Sequence, residues 1–156
     1  MGIPTVAISS FAEIEAEFLA RVARVVWCSA ATIDGRDRVR SRVVHPIWEG
    51  STGWVMSRRQ SPKAADIAHR PYVSIAYVAE VASPLYADCL AAWDDDPETR
   101  RRVWALFADT PPPLGYDPAS IFGQPENPEM GLLRLTPWRV QLDDLPTRRR
   151  VWRSAG

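Results

Sequence analysis

Ser57-Arg58-Arg59-Gln60-Ser61-Pro62-Lys63 runs from the end of a strand through a polar turn into the start of a helix. Ser61 offers a side-chain acceptor to an unpaired helical N–H, and Pro62, at the first helical position, forgoes no hydrogen bond. The remaining free N–H groups and the positive end of the helix dipole converge on one spot, where Lys63 adds a full charge. A cation there is unfavourable for the helix unless an anion compensates it, so the segment reads as an anion site. Lys63 is also the only lysine; all the other basic residues are arginine. The competing reading is a solvated surface lysine beside an ordinary helix cap.

Immediately upstream, Arg38-Val39-Arg40-Ser41-Arg42-Val43-Val44 alternates as a strand, which places Arg40 and Arg42 on one face. Guanidinium forks match phosphate oxygens, so two of them near the Ser61 helix start would complete a phosphate clamp. The alternative is a solvated strand face. Asp34-Gly35 makes the turn that pairs this strand, Val39 to Trp48, with Val25 to Ile33. Ser10 with Glu13 forms a capping box before Phe11, Ile14, Phe18 and Val22, which predicts a helix ahead of the hairpin. Trp54 to Ser57 is a third strand, with Trp54 and Met56 on one face.

Downstream, Pro62 to His69 predicts a short helix, and Tyr72 to Val78 and Leu85 to Trp93 predict further strands. Asp96-Pro97-Glu98 starts a third helix carrying Val103, Leu106 and Phe107; the Asp94-Asp95-Asp96 run is read as its cap, not as a metal site. Thr110 to Glu129 is dense in proline, glycine and aspartate, and is expected to be an ordered flap serving as lid or specificity loop. Leu132 to Leu135 and Val140 to Leu142 read as a final strand or strand pair broken at Pro137. Arg148 to Arg153 reads as a frayed basic tail.

The 156 residues suit one domain, with 1–10 and 146–156 as terminal extensions. Ordinary globular composition and a formal net charge of zero leave no global field to attract nucleic acid. No segment is long and apolar enough to span a membrane, and no leader is evident, so a cytoplasmic location is expected. Cys28 and Cys89 lack the spacing of a disulfide scaffold or zinc site. Of the seven tryptophans, Trp27, Trp54 and Trp104 are expected in the core. His45 is taken as a strand residue and His69 as a cation at a helix end, neither of them a catalytic base.

The order of these parts resembles the pyridoxamine 5′-phosphate oxidase-like superfamily, over Phe11 to Val78 and more loosely beyond. The shared features are the leading helix, the Asp-Gly hairpin, the R-x-R-x-V strand, a short strand, the S-x-K helix start and the Val-Ser-Ile-Ala-Tyr strand. The resemblance implies a mainly β fold with flanking helices, a six-stranded antiparallel split β-barrel of the FMN-binding type. It further implies a homodimer with the cofactor at the subunit interface, with Trp138 as a ring neighbour across that interface, and FMN or, alternatively, a deazaflavin as cofactor. Carried over by position, Arg40, Ser41, Arg42 and Val43 would face ring and phosphate, Met56 and Ser57 would line the next strand, and Ser61, Pro62 and Lys63 would hold the phosphate. The arginine and histidine pattern that reads the pyridoxal substrate in the family's oxidases has no match in Leu132 to Arg153. The implied activity is therefore flavin-dependent oxidoreduction of another small organic molecule; the alternatives are a deazaflavin-dependent reductase and a flavin- or haem-binding protein without turnover.

Overall fold

The computed structural model describes residues 2–156. Its strands are β1 (Thr5–Ile8), β2 (Cys28–Ile33), β3 (Val39–Val44), β4 (Ile47–Glu49), β5 (Thr52–Arg58), β6 (Tyr72–Tyr77), β7 (Leu85–Trp93), β8 (Met130–Asp144) and β9 (Arg148–Arg153). The helices are α1 (Glu15–Arg24), α2 (Pro62–His69), α3 (Pro97–Asp109) and the single turn α4 (Ala119–Phe122), with a 3₁₀ turn at Phe11–Glu13. The predicted capping box is present, but on that 3₁₀ turn: Ser10 Oγ accepts from Ala12 N at 3.2 Å, and Ser10 N donates to Glu13 at 3.0 Å.

All nine strands belong to one sheet with the path β1-β9-β8-β7-β6-β2-β3, and β5 joins β8 separately while carrying β4 on its other edge. The expected six-stranded antiparallel barrel is corrected on three points. Among the described residues there are nine strands; β1 runs parallel to β9, which makes the sheet mixed; and no ladder joins β3 to β5, so the sheet stays open there. The long strand β8 creates this split. Its first half, Met130 to Leu135, pairs with β5, its second half, Arg139 to Asp144, with β9, and β7 follows both. Pro137, which suggested a break, is absorbed where the β7–β8 register shifts at Asp88/Cys89.

Two apolar clusters hold the sheet. In the first, Phe18 and Val22 of α1 pack on Ala30, Val44, Val55, Ile75 and Leu133. In the second, Trp54 and Met56 meet Val103 and Phe107 of α3, Phe122 of α4 and Leu132. Strand β5 is thus buried on both faces, Val55 inward and its neighbours Trp54 and Met56 toward α3, each such side chain contributing about 1.5–3 kcal/mol. The residues read as a frayed tail form β9, and part of the expected N-terminal extension pairs with it. Arg150 of β9 bonds Glu17 at 2.7 Å, and Arg149 bonds Asp143 at 2.9 Å. Nearby, the buried Arg21 donates to the carbonyls of Asp143 and Pro84 at 2.8 and 3.1 Å.

Candidate functional site

Where the sheet fails to close, between β3 and β5, lies a cavity of about 590 Å³. Val43 and Val44 form one wall, Val55 and Met56 the other, and Lys63 of α2 reaches in from the helix start. The roof is the predicted flap, which is ordered and contributes Tyr116, Asp117, Ser120 and Ile121. This volume and largely apolar lining with few polar groups suit a small-molecule site.

The helix start is built as its sequence requires. Ser61 is the N-cap of α2, its Oγ accepting from Ala64 N at 3.3 Å, and Pro62 follows at the first helical position. Lys63 donates to Ser57 Oγ. Arg42 lies beside it, donating from Nη1 to Thr32 Oγ1 at 2.7 Å and from Nη2 to the buried Asp66 at 3.1 Å. Asp66, which also accepts from Thr32 at 2.8 Å, thereby neutralises Arg42. Among the described residues Lys63 has no carboxylate partner: burial first, and then the like charge of Arg42, push its pKa below the usual value.

The candidates separate accordingly. Val43, Met56 and Lys63 line the cavity; Ser57 accepts from Lys63 behind it, and Arg42 acts on Lys63 through its like charge. Ser61 and Pro62 shape the turn without lining it. Arg40, despite sharing Arg42's face, is exposed and borders a separate hollow with Asp34, Arg38 and Val39. The expected convergence of two arginines is therefore reduced to Arg42, because Arg40 stands two residues farther along an edge strand. Ser41 is exposed, on the face opposite Arg42. Trp138 is 41% exposed on β8 and lies outside this cavity.

Sequence reasoning missed the outer half of the site. Trp27, expected in the core, is 59% exposed and lies 4.9 Å, centroid to centroid, from the ring of His45. His45 is not within a strand but in the break between β3 and β4, its Nε2 2.9 Å from the Leu114 carbonyl and its ring 5.2 Å from Tyr116. A carbonyl oxygen can only accept, so the proton of this hydrogen bond sits on Nε2. Burial lowers the His45 pKa, opposed by the bond to Leu114. The signal available in the sequence was His45-Pro46, a pair that interrupts an alternating run.

Solved structures with the same architecture carry the resemblance from sequence to fold. A protein from Clostridium acetobutylicum, described as related to general stress protein 26 and of the pyridoxinephosphate oxidase family, superposes with a TM-score of 0.72 at 8% identity, over 90% of this chain and 94% of that one. A pyridoxamine 5′-phosphate oxidase-related, FMN-binding protein from Nostoc punctiforme gives 0.62 at 15% identity, over 83% and 82%. HutZ, the haem storage protein from Vibrio cholerae, gives 0.64 at 19% identity, over 80% and 89%. The chain thus has the pyridoxamine 5′-phosphate oxidase-like fold, shared by FMN-binding and haem-storing proteins. No protein-family model and no curated protein sequence matches it.

Proposed function

We propose that this protein binds a phosphorylated flavin, FMN or a deazaflavin relative, in the Lys63 cavity and acts as an oxidoreductase on a small organic molecule. The observation that carries the reading is the state of Lys63: a half-buried cation at the start of a capped helix, under the like charge of Arg42. Such a charge is costly without an anion and favourable with one. Lys63 and the unused N–H groups of Arg42 would hold the phosphate, and Ser57 orients the ammonium. Val43, Val44, Val55 and Met56 supply apolar walls against which a fused ring system could lie, beneath the roof formed by the flap. The bound flavin would supply the hydride and electron chemistry; the chain supplies binding, orientation and exclusion of water. We further propose a homodimer in which Trp138 of the partner subunit reaches the ring edge, since Trp138 cannot do so within its own subunit.

The second reading, a haem- or flavin-binding protein without turnover, draws on the haem-storing neighbour and on His45 at the cavity. Against haem, His45 has committed Nε2 to Leu114, leaving only Nδ1, the nitrogen adjacent to its own side-chain stem. Visible spectroscopy and mass spectrometry of the ligand released from protein purified from its host distinguish the readings. FMN or deazaflavin masses support the proposal, a Soret band supports haem, and release of no phosphorylated ring compound defeats it.

A further inference from the structure

The mouth of the cavity differs chemically from its floor. Lys63 also lines the small void inside the sheet, alongside Val44 and Val55, and so marks the deep end. At the rim stand Trp27, Val43 and Ile121, which are 59%, 67% and 54% exposed. Single exposed apolar residues are ordinary, but three large ones bordering one opening form a patch that calls for a ligand. The Trp27 ring packs at a tilt of 58° against His45, 4.9 Å between centroids, and His45 is held in turn by the Leu114 carbonyl.

Charge is also divided between the two ends. Among the described residues that line the cavity, Lys63 is the one lysine or arginine and Asp117 the one carboxylate. Asp117 belongs to the flap, where its Oδ1 accepts from Ala119 N at 2.9 Å. His45, with its pKa lowered by burial, adds no positive charge at neutral pH. Among the described residues lining the mouth, an approaching anion would meet a carboxylate and no cation, whereas an uncharged ring would meet the exposed indole of Trp27.

Resting on the flavin-phosphate reading above, we infer that the second ligand of this site is a flat, uncharged aromatic or quinonoid ring. It stacks on Trp27 between Val43 and Ile121, and anionic analogues are rejected at the mouth. The deep end takes the one anionic group the cavity can neutralise, and the outer end takes a neutral plane.

The test uses the whole protein, first titrated with FMN by flavin fluorescence. The FMN complex is then titrated with 1,4-naphthoquinone and with 1,4-naphthoquinone-2-sulfonate, which share a planar quinone ring and differ in charge. Binding is followed as tryptophan quenching that is present in the wild type and lost in Trp27→Leu. The expected result is that the neutral quinone quenches Trp27 and binds about tenfold tighter than the sulfonate, with Asp117→Asn narrowing the gap. Equal affinity for the two quinones with normal FMN binding overturns this inference alone. Failure of FMN to bind the wild type overturns the reading beneath it. A Trp27 emission shift on dilution, showing that a second copy of the chain covers the mouth, also overturns the inference.

Discussion

Replacing Lys63 with methionine removes the charge while keeping most of the side-chain volume, and the structure predicts opposite consequences for ligand binding and for the stability of the ligand-free protein. In the ligand-free chain Lys63 makes one hydrogen bond, to Ser57, and endures burial beside Arg42. Losing the hydrogen bond costs about 1 kcal/mol, and relief of desolvation and like-charge repulsion offsets it, so the ligand-free variant should stay within about 1 kcal/mol of wild type. With FMN present, the variant lacks a charge-assisted bond worth about 1.5–3 kcal/mol, which weakens binding roughly ten- to a hundredfold. The folded chain holds Lys63 below its unfolded value of 10.5. The unfolded chain therefore binds more protons in that window, and wild type should gain stability relative to the variant as pH rises toward 10.5. Fluorescence titration of FMN and urea melts between pH 7 and 10.5 read both effects. An FMN affinity within twofold of wild type would show that Lys63 is not the anion anchor and would remove the main support for the site.

Four further expectations follow from other parts of the chain. A Cβ on Gly115 would lie 2.0 Å from the Thr110 carbonyl oxygen and 2.5 Å from that of Phe107. Gly115→Ala should therefore displace the flap at a cost of about 1–3 kcal/mol, read by melting temperature and by loss of protease resistance between 110 and 122; an intact, equally resistant flap contradicts this. Arg21→Met strips donors from two buried carbonyls and from the Glu17–Asp144 pair, and urea melts should show a loss of about 3 kcal/mol. Asp34 accepts from the N–H groups of Arg36 and Arg38 and from the Arg38 guanidinium, which holds its pKa down to about 2. Its stabilisation should be complete above its ordinary 3.8 and vanish as pH falls through about 2, and carboxyl NMR finding an ordinary value would refute the turn geometry. Sedimentation at micromolar concentration should give twice the 17.5 kDa chain mass, and a monomer with full FMN affinity would exclude a shared site.

How much was legible depended on whether a residue's role is set by near or distant neighbours. Helix α2 and strand β7 match their predicted limits, because Ser61-Pro62 and the turns around Leu85 to Trp93 are local signals. Strand β9 was misread because arginines rarely announce a strand; its pairing rests on Glu17, Asp143 and Asp144, and Glu17 lies 133 residues away from Arg150. The same holds for Trp27. Its type suggests burial, yet its position just before β2 places it on the cavity rim, a fact only the assembled sheet supplies. Of the site, the Lys63 end was readable because helix-start chemistry is local, whereas the flap end depends on contacts between 27, 45 and 116.

The site owes its existence to a short interruption. Had Val39 to Trp48 continued as one strand, the expected alternation would have placed residues 45 and 46 in a ladder. Pro46 has no N–H to give such a ladder, and β3 therefore stops at Val44 while Ile47 restarts as β4 against β5. The turn swings β4 and β5 onto β8 instead of back onto β3, so β3 and β5 face one another without hydrogen bonds between them. Their side chains, Val43, Val44, Val55 and Met56, line the resulting gap. His45, turned out of the sheet at the same point, meets the flap through Leu114 and seats Trp27 at the rim. A closed six-stranded barrel would have filled this space with its own core. Restoring strand continuity, for example with Pro46→Val, should therefore shrink the cavity and weaken ligand binding even where stability rises; unchanged FMN affinity in a well-folded variant would break the link between the interrupted strand and the site.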